Sequence, residues 1–346
     1  MRVVVHAGMH KTGSSSIQQT FVAHEVPGWY YPALTPTGNH SRVWITLFED
    51  EPERTPANAL AGLTAAELAR RGARWRAELG EELAAGDRHL LISAERVSKT
   101  SPVAAARARD WLGRWFPDIT LIAYVRPPVS FMASAFQQVV NARGEDRIGG
   151  RGFWPEYRER FEKLDAVFGR ENVRLKLYDP TTLLGGDVVL DLARELGVAL
   201  SPEQVVRANE SVSLEATALV FVQRRWGHGF VGGFRGAPRM NNDFVASLSQ
   251  IGSSKLAFSP ELVGPWLEEN RSDVEWIEER LGCAVLDAPP TSGRLVSSED
   301  DLLEIALENA EEVASLVGDE RSTDGDARTR LVSDLETLRE RHYAVG

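Results

Sequence analysis

The segment Arg2-Val-Val-Val-His6-Ala-Gly8-Met-His-Lys11-Thr-Gly13-Ser-Ser-Ser16 decides the fold. Arg2 to His6 carries three consecutive valines and reads as a short buried strand. Gly8 and Gly13 bracket a loop, and Ser14 to His24 has the pattern of a helix. In a strand, glycine loop and helix, the backbone N–H groups and the helix dipole face an anion. The loop begins like a nucleoside-triphosphatase loop, with four residues between its two glycines, and then departs from it. Such a loop needs lysine directly after the second glycine, whereas Ser14 stands there and Lys11 lies inside the loop.

Working outward, strands are expected at His89 to Ser93, Ile119 to Val125 and Val173 to Tyr178. Helical patterns separate them at Ala65 to Ala85, Val103 to Phe116 and Phe131 to Ala142, and another runs from Asp187 to Leu196, stopped by Gly197. This alternation predicts an α/β, P-loop-like three-layer fold: a central parallel sheet of four or five strands flanked by helices. Past residue 200 helices dominate, at Ser213 to Trp226, Pro260 to Leu281, Glu299 to Leu316 and Ala327 to Tyr343. The five-glycine stretch Gly227 to Gly236 reads as a long connection or a lid. The polar stretch Gly318 to Asp326 reads as a hinge, making the last helix an appendage. The expected organisation is a main domain over 1–290 and a helical C-terminal extension over 291–346.

A chain of 346 residues with 43% hydrophobic and 26% charged residues can bury a substantial core, which excludes disorder throughout. A net charge of −11 argues against a general nucleic-acid surface and confines any anion site to a local pocket. The basic residues from Arg143 to Arg160 are interspersed with carboxylates and read as a solvated helix face. No run of 18 apolar residues suggests an integral membrane segment, and the N-terminus lacks the apolar core of a signal peptide, so the cytoplasm is the expected compartment. The single cysteine, Cys283, excludes an intrachain disulfide and reads as a packing residue. No cluster of His, Asp or Glu has metal-ligand spacing, and no metal is expected. A homo-oligomer is compatible with the sequence.

Lys-Thr-Gly-Ser-Ser-Ser at Lys11 to Ser16 resembles the 5′-phosphosulfate loop of the sulfotransferase superfamily that uses 3′-phosphoadenosine 5′-phosphosulfate (PAPS). The resemblance implies that Lys11 contacts the oxygen bridging phosphate and sulfate, while Thr12, Gly13, Ser14, Ser15 and Ser16 hold the 5′-phosphate. Arg126 ends a buried strand, and Ser134, eight residues on, lies in the following helix. This spacing is similar to the family's 3′-phosphate element, and the guanidinium fork suits a phosphate. Leu177-Tyr-Asp179 resembles the strand end near the adenine, which makes Tyr178 a candidate adenine contact or else a core tyrosine. The likeness extends over about residues 1 to 285, including Asn209 to Arg224 and Asn270 to Gly282. The family's Arg-Lys-Gly loop has no recognisable counterpart, leaving Arg235, Arg239 and Lys255 as candidates for completing the 3′-phosphate site.

The implied reaction moves a sulfuryl group from PAPS to a hydroxyl or amine of a carbohydrate, lipid or small molecule and releases adenosine 3′,5′-bisphosphate (PAP). Two residues compete as general base: Glu95, in a segment resembling the one that carries the catalytic glutamate of carbohydrate sulfotransferases, and His40, in a loop ahead of a helix. His6 and His89 sit in strands and read as core residues, and His10 as a shaper of the loop. The alternatives are a nucleotide kinase or other phosphotransferase, and a non-catalytic nucleotide-binding protein.

Overall fold

A computed structural model describes the chain except residues 151, 209–211, 232–236, 287–292 and 344–346. Its chain contacts group into two compact units. The first comprises 1–127, 156–210 and 272–285, and the second 128–155, 211–271 and 286–346.

The first unit holds a five-stranded parallel sheet in the order β2-β3-β1-β4-β5. Its strands are β1 (Arg2–His6), β2 (Trp29–Tyr30), β3 (His89–Ser93), β4 (Asp118–Val125) and β5 (Val173–Leu177). Sequence patterning anticipates all but β2, whose two residues are too few to show a period. Val4, Leu91, Ile122 and Tyr124 pack on one face with Ile17 and Phe21 of α1 (Ser14–Ala23) and with Val188, Val189, Leu192 and Leu196 of the helix Val188–Leu196. The alternate residues Val3, Val5, Leu90, Ile92, Leu121 and Ala123 are buried as well, as a sheet covered on both faces requires. On the other side α2 (Ser41–Phe48) packs with the helices Ala65–Ala85 and Pro102–Leu112. The expected α/β class therefore holds. Arg280 ties the C-terminal piece of this unit to the sheet, pairing with Asp165 at 2.8 Å and donating to the carbonyl of Val173.

The second unit is helical. Phe136 packs against Phe221 and Phe258, with ring centroids 6.0 and 5.7 Å away. The last helix, Ala327–Tyr343, is not an appendage: Leu331, Leu335 and Leu338 are buried, and it packs on Leu214–Trp226, Ala237–Leu248 and Ala310–Val317. Apolar spacing outweighs the polar hinge before it.

Two helices expected to be continuous are broken by one device. Pro260 to Leu281 divides into Pro260–Glu269 and Arg271–Leu281, and Glu299 to Leu316 into Glu299–Glu308 and Ala310–Val317. At each break an asparagine amide donates to the carbonyl four residues back, Asn270 to Trp266 at 2.8 Å and Asn309 to Ile305 at 2.7 Å. At Asn309 the side chain takes the acceptor the helix would otherwise use, the backbone amide turning to Ala306, whereas at Asn270 side chain and backbone amide share the Trp266 carbonyl. The Arg143 to Arg160 stretch is not a helix face either: one helix ends at Arg143, the next begins at Tyr157, and Arg160 is buried. Cys283 is exposed rather than packed.

Candidate active site

Pairing of His6 with Ser93 and with Ile122 brings the C-terminal ends of β1, β3 and β4 to one edge of the first unit. In a parallel α/β sheet that edge is where ligands bind. β1 leads into the Gly8–Ser16 loop, β3 into Glu95 through Ala94, and β4 into Arg126.

The loop is held by its own polar groups. Thr12 Oγ1 donates to the carbonyl of Met9 at 2.8 Å, and both residues are buried. Lys11 adopts φ 67°, a left-handed conformation uncommon outside glycine and often found at functional sites. Gly13 also has positive φ, 76°, and a β-carbon there would lie 2.5 Å from Val188 Cγ1, so only glycine fits. Gly13 opens α1 with no side-chain cap on the helix's first amides. Those N–H groups point where an anion is best held. Ser16 Oγ accepts from the amide of Ala208 at 3.1 Å, fastening the start of α1.

Arg126 comes to this loop from a position 115 residues away and donates through Nη1 to the carbonyl of Lys11 at 2.7 Å. Its guanidinium lies 5.9 Å from the ring centroid of Tyr178, and the hydroxyl of Tyr157 donates to its carbonyl at 2.6 Å. The amide of Tyr178 donates to the carbonyl of Val125, and its ring packs at the margin of the α1 core. Ser134 belongs to the second unit, half-buried in the helix Pro128–Arg143. Arg239 and Lys255 are exposed residues of that unit, and Arg235 lies outside the described residues.

Glu95 begins the turn after β3, with its side chain only 18% exposed, and one of its oxygens lies 3.7 Å from His10 Nε2. Burial pushes its carboxyl above the usual range, against a hydrogen bond with Ser14 and the Lys11 ammonium. Lys11 is shifted the other way: partial removal from water lowers its pKa, Arg126 lowers it further, and Glu95 opposes both. A carboxylate with raised basicity thus stands beside the loop's lysine.

His40 has a different setting. It is 2% exposed, its Nε2 bonds the carbonyl of Pro32 at 2.8 Å, and its Nδ1 accepts from the amide of Ser93 at 3.1 Å. With both nitrogens committed and burial lowering its pKa to about 4, the ring braces the end of β3 and offers no lone pair to an acceptor. His6 is a core residue, as expected, while His89 is half-buried against Trp29. Sequence reading missed Ser93 and Gln18, which join His6 in a buried chain: Ser93 Oγ lies 2.8 Å from His6 Nδ1 and accepts from Gln18 Nε2 at 3.3 Å. Gln18 carried a readable signal, as a polar residue on the buried face of α1.

Among the described residues, the fold assembles one set of possible metal ligands that sequence spacing hid. His228, Glu336 and Glu340 of the second unit place ligand atoms within 4.8 Å of one another. Glu336 already accepts from Gln223 Nε2, the His228 amide and Arg339 Nε, at 2.7, 2.8 and 2.7 Å, and this cation-paired carboxylate reads as a structural clasp.

Fold and edge together define a three-layer α/β protein with a glycine loop leading into an uncapped helix at the carboxyl end of its sheet. No protein-family model and no curated protein matches the chain. Among solved structures, the chain is similar to a sulfotransferase from Alicyclobacillus acidocaldarius, with 21% identity over 64% of this chain and 91% of that one, and a TM-score of 0.41. It is also similar to the sulfotransferase domain from the curacin biosynthetic pathway, with 13% identity over 61% of this chain and 78% of that one, and a TM-score of 0.34. No helix among the described residues is long and apolar enough to cross a membrane.

Proposed function

We propose that the protein is a sulfotransferase, moving a sulfuryl group from PAPS to an acceptor hydroxyl or amine and releasing PAP. The observation that carries this reading is the bond from Arg126 to the carbonyl of Lys11, which joins the two phosphate-type elements of the sequence at one place. The residues fit the donor in chemistry as well as order: uncapped amides at α1, hydroxyls at Ser14 to Ser16, and two cations. When bound, PAPS supplies a sulfuryl group on a phosphate leaving group.

Each residue then has a task. The amides and hydroxyls from Gly13 to Ser16 hold the 5′-phosphate, and Arg126 the 3′-phosphate. Lys11 offsets the charge that grows on the bridging oxygen as the sulfur–oxygen bond breaks. Glu95 takes the proton from the acceptor as its oxygen or nitrogen bonds to sulfur, and its raised basicity suits that role. The transferred group carries a single negative charge and no triphosphate must be chelated, so the reading assigns no metal. Tyr178 lies at the strand end assigned to the adenine. The acceptor is a small molecule, glycan or lipid.

Thermal unfolding tests the donor. PAP at about 100 times its Kd should stabilise the fold by about 2.7 kcal/mol, whereas ATP with magnesium should do much less. Stabilisation by ATP with magnesium and none by PAP would favour a phosphotransferase. No response to either nucleotide would leave the loop without its proposed ligand.

A further inference from the structure

One buried group at the site remains unused. His6 is fully buried, and its Nε2 has no hydrogen-bond partner among the described residues. Orphaned buried nitrogens are uncommon, and one beside the loop calls for an explanation. The direction of this one is informative: a β-carbon on Gly8 would lie 2.6 Å from His6 Nε2 and 3.1 Å from Ser14 Oγ. His6 Nε2 and the Ser14 hydroxyl therefore both border the space that Gly8 leaves open.

The other side of the ring indicates which proton Nε2 carries. Ser93 Oγ accepts from Gln18 Nε2, and its own hydrogen has two acceptors in reach, His6 Nδ1 at 2.8 Å and the Tyr31 hydroxyl. Directed to Nδ1, that hydrogen leaves Nε2 as the N–H donor. Burial lowers the His6 pKa to about 4, which keeps the ring neutral around pH 7. Ser14 has a single hydroxyl hydrogen, shared in the free protein between Glu95 and the carbonyl of Met9, which is 3.5 Å from Oγ.

We propose that His6 is a positioning residue for the sulfuryl donor: when the Ser14 side chain rotates to give its hydrogen to the bound 5′-phosphate, its Oγ comes within reach of His6 Nε2–H and accepts from it. The phosphate then gains a donor whose lone pair is anchored in the sheet, and Glu95 loses the Ser14 bond that restrains its basicity. This inference rests on the PAPS reading of the site. It gives Gly8 a reason, since a side chain there would stand between the two groups.

A pair of substitutions separates this role from a packing role. His6→Gln keeps a donor near the position of Nε2, and His6→Asn keeps only a partner for Ser93. Calorimetry with PAP should show His6→Asn weakened about tenfold, the worth of roughly one hydrogen bond, with His6→Gln within about threefold of wild type. In steady state the KM for PAPS should rise in His6→Asn while the acceptor KM stays put. A histidine that serves only Ser93 predicts the reverse order, and equal affinities would also overturn the proposal. If His6→Asn does not fold, histidine-labelled wild-type protein decides by nitrogen-15 NMR. The Nε2-protonated tautomer should be present, and PAP should shift the Nε2 signal; the opposite tautomer, or no shift in a protein that binds PAP, overturns the role of His6. Failure of wild type to bind PAP at all would instead overturn the donor reading.

Discussion

The Glu336 cluster of the second unit and the sheet edge of the first treat buried polar groups in opposite ways. In the second, Glu336 is met by Gln223, His228 and Arg339, while Arg224 reaches the carbonyl of Val140 and the side chain of Asn241. Burial alone would raise the Glu336 carboxyl, but hydrogen bonds from His228, Gln223 and Arg339 outweigh it and hold the group below the usual range. At the sheet edge of the first unit, α1 begins uncapped, His6 Nε2 is orphaned, and Glu95 and Lys11 are both shifted away from their charged forms. A satisfied network holds a fold together, and an unsatisfied one waits for a ligand.

The largest effect that should follow concerns Glu95. Replacing it by glutamine removes the base and keeps the shape, and kcat should fall by about 10²- to 10⁴-fold with little change in PAP affinity. Because its carboxyl is raised, wild-type turnover should fall with acid from above the ordinary glutamate range, and Glu95→Gln should flatten that limb of the pH profile. A Glu95→Gln variant within threefold of wild type would move the base elsewhere.

Lys11→Ala should follow, with about 10²- to 10³-fold lost from kcat. Its melting temperature should stay near that of wild type, since Lys11 is exposed. Circular dichroism and a sulfate-transfer assay separate the two quantities. Turnover near wild type would remove Lys11 from the mechanism.

Arg126→Ala should act on binding, weakening PAP by roughly 10- to 100-fold, the worth of a charge-assisted contact. Adenosine 5′-phosphosulfate lacks the 3′-phosphate and should lose much less. Equal losses would mean that Arg126 serves only the carbonyl of Lys11.

Much of the first unit's edge was legible because its signals are local. Three valines, two glycines and a run of serines lie within fifteen residues, and parallel pairing then carries Glu95 and Arg126 to the same edge. His40 was misleading as a candidate base, because what removes its lone pairs is the amide of Ser93 and the carbonyl of Pro32, neither visible as a motif. The clasp of His228 with Glu336 joins residues 108 apart, and nothing in either neighbourhood announces the other. At Asn270 and Asn309 the apolar pattern runs on while the helix breaks, and each asparagine side chain bonds the carbonyl four residues back.

The smallest effect sharpens the contrast from the other side. Glu336→Gln keeps the shape of the clasp in the second unit and removes the charge that Arg339 meets at 2.7 Å. Arg339 is 7% exposed, so its guanidinium would keep as carboxylate partner only the exposed Glu340, at 3.3 Å. The loss should be about 1–3 kcal/mol, seen as a drop of a few degrees in melting temperature. PAP affinity per folded molecule should be unchanged, because Glu336 takes no part in the proposed donor site. The charge also sets a pH dependence: a carboxyl held below its unfolded value stabilises the protein above that value, and the contribution is lost as pH falls through the folded pKa. The stability difference between wild type and Glu336→Gln should therefore shrink with acidification below about pH 4.5, the ordinary glutamate range. Zinc should not replace the lost stability, since the variant lacks a carboxylate at the centre of the cluster. If the variant instead melts like wild type at neutral pH and binds PAP less tightly, the clasp belongs to function and the contrast between the units fails.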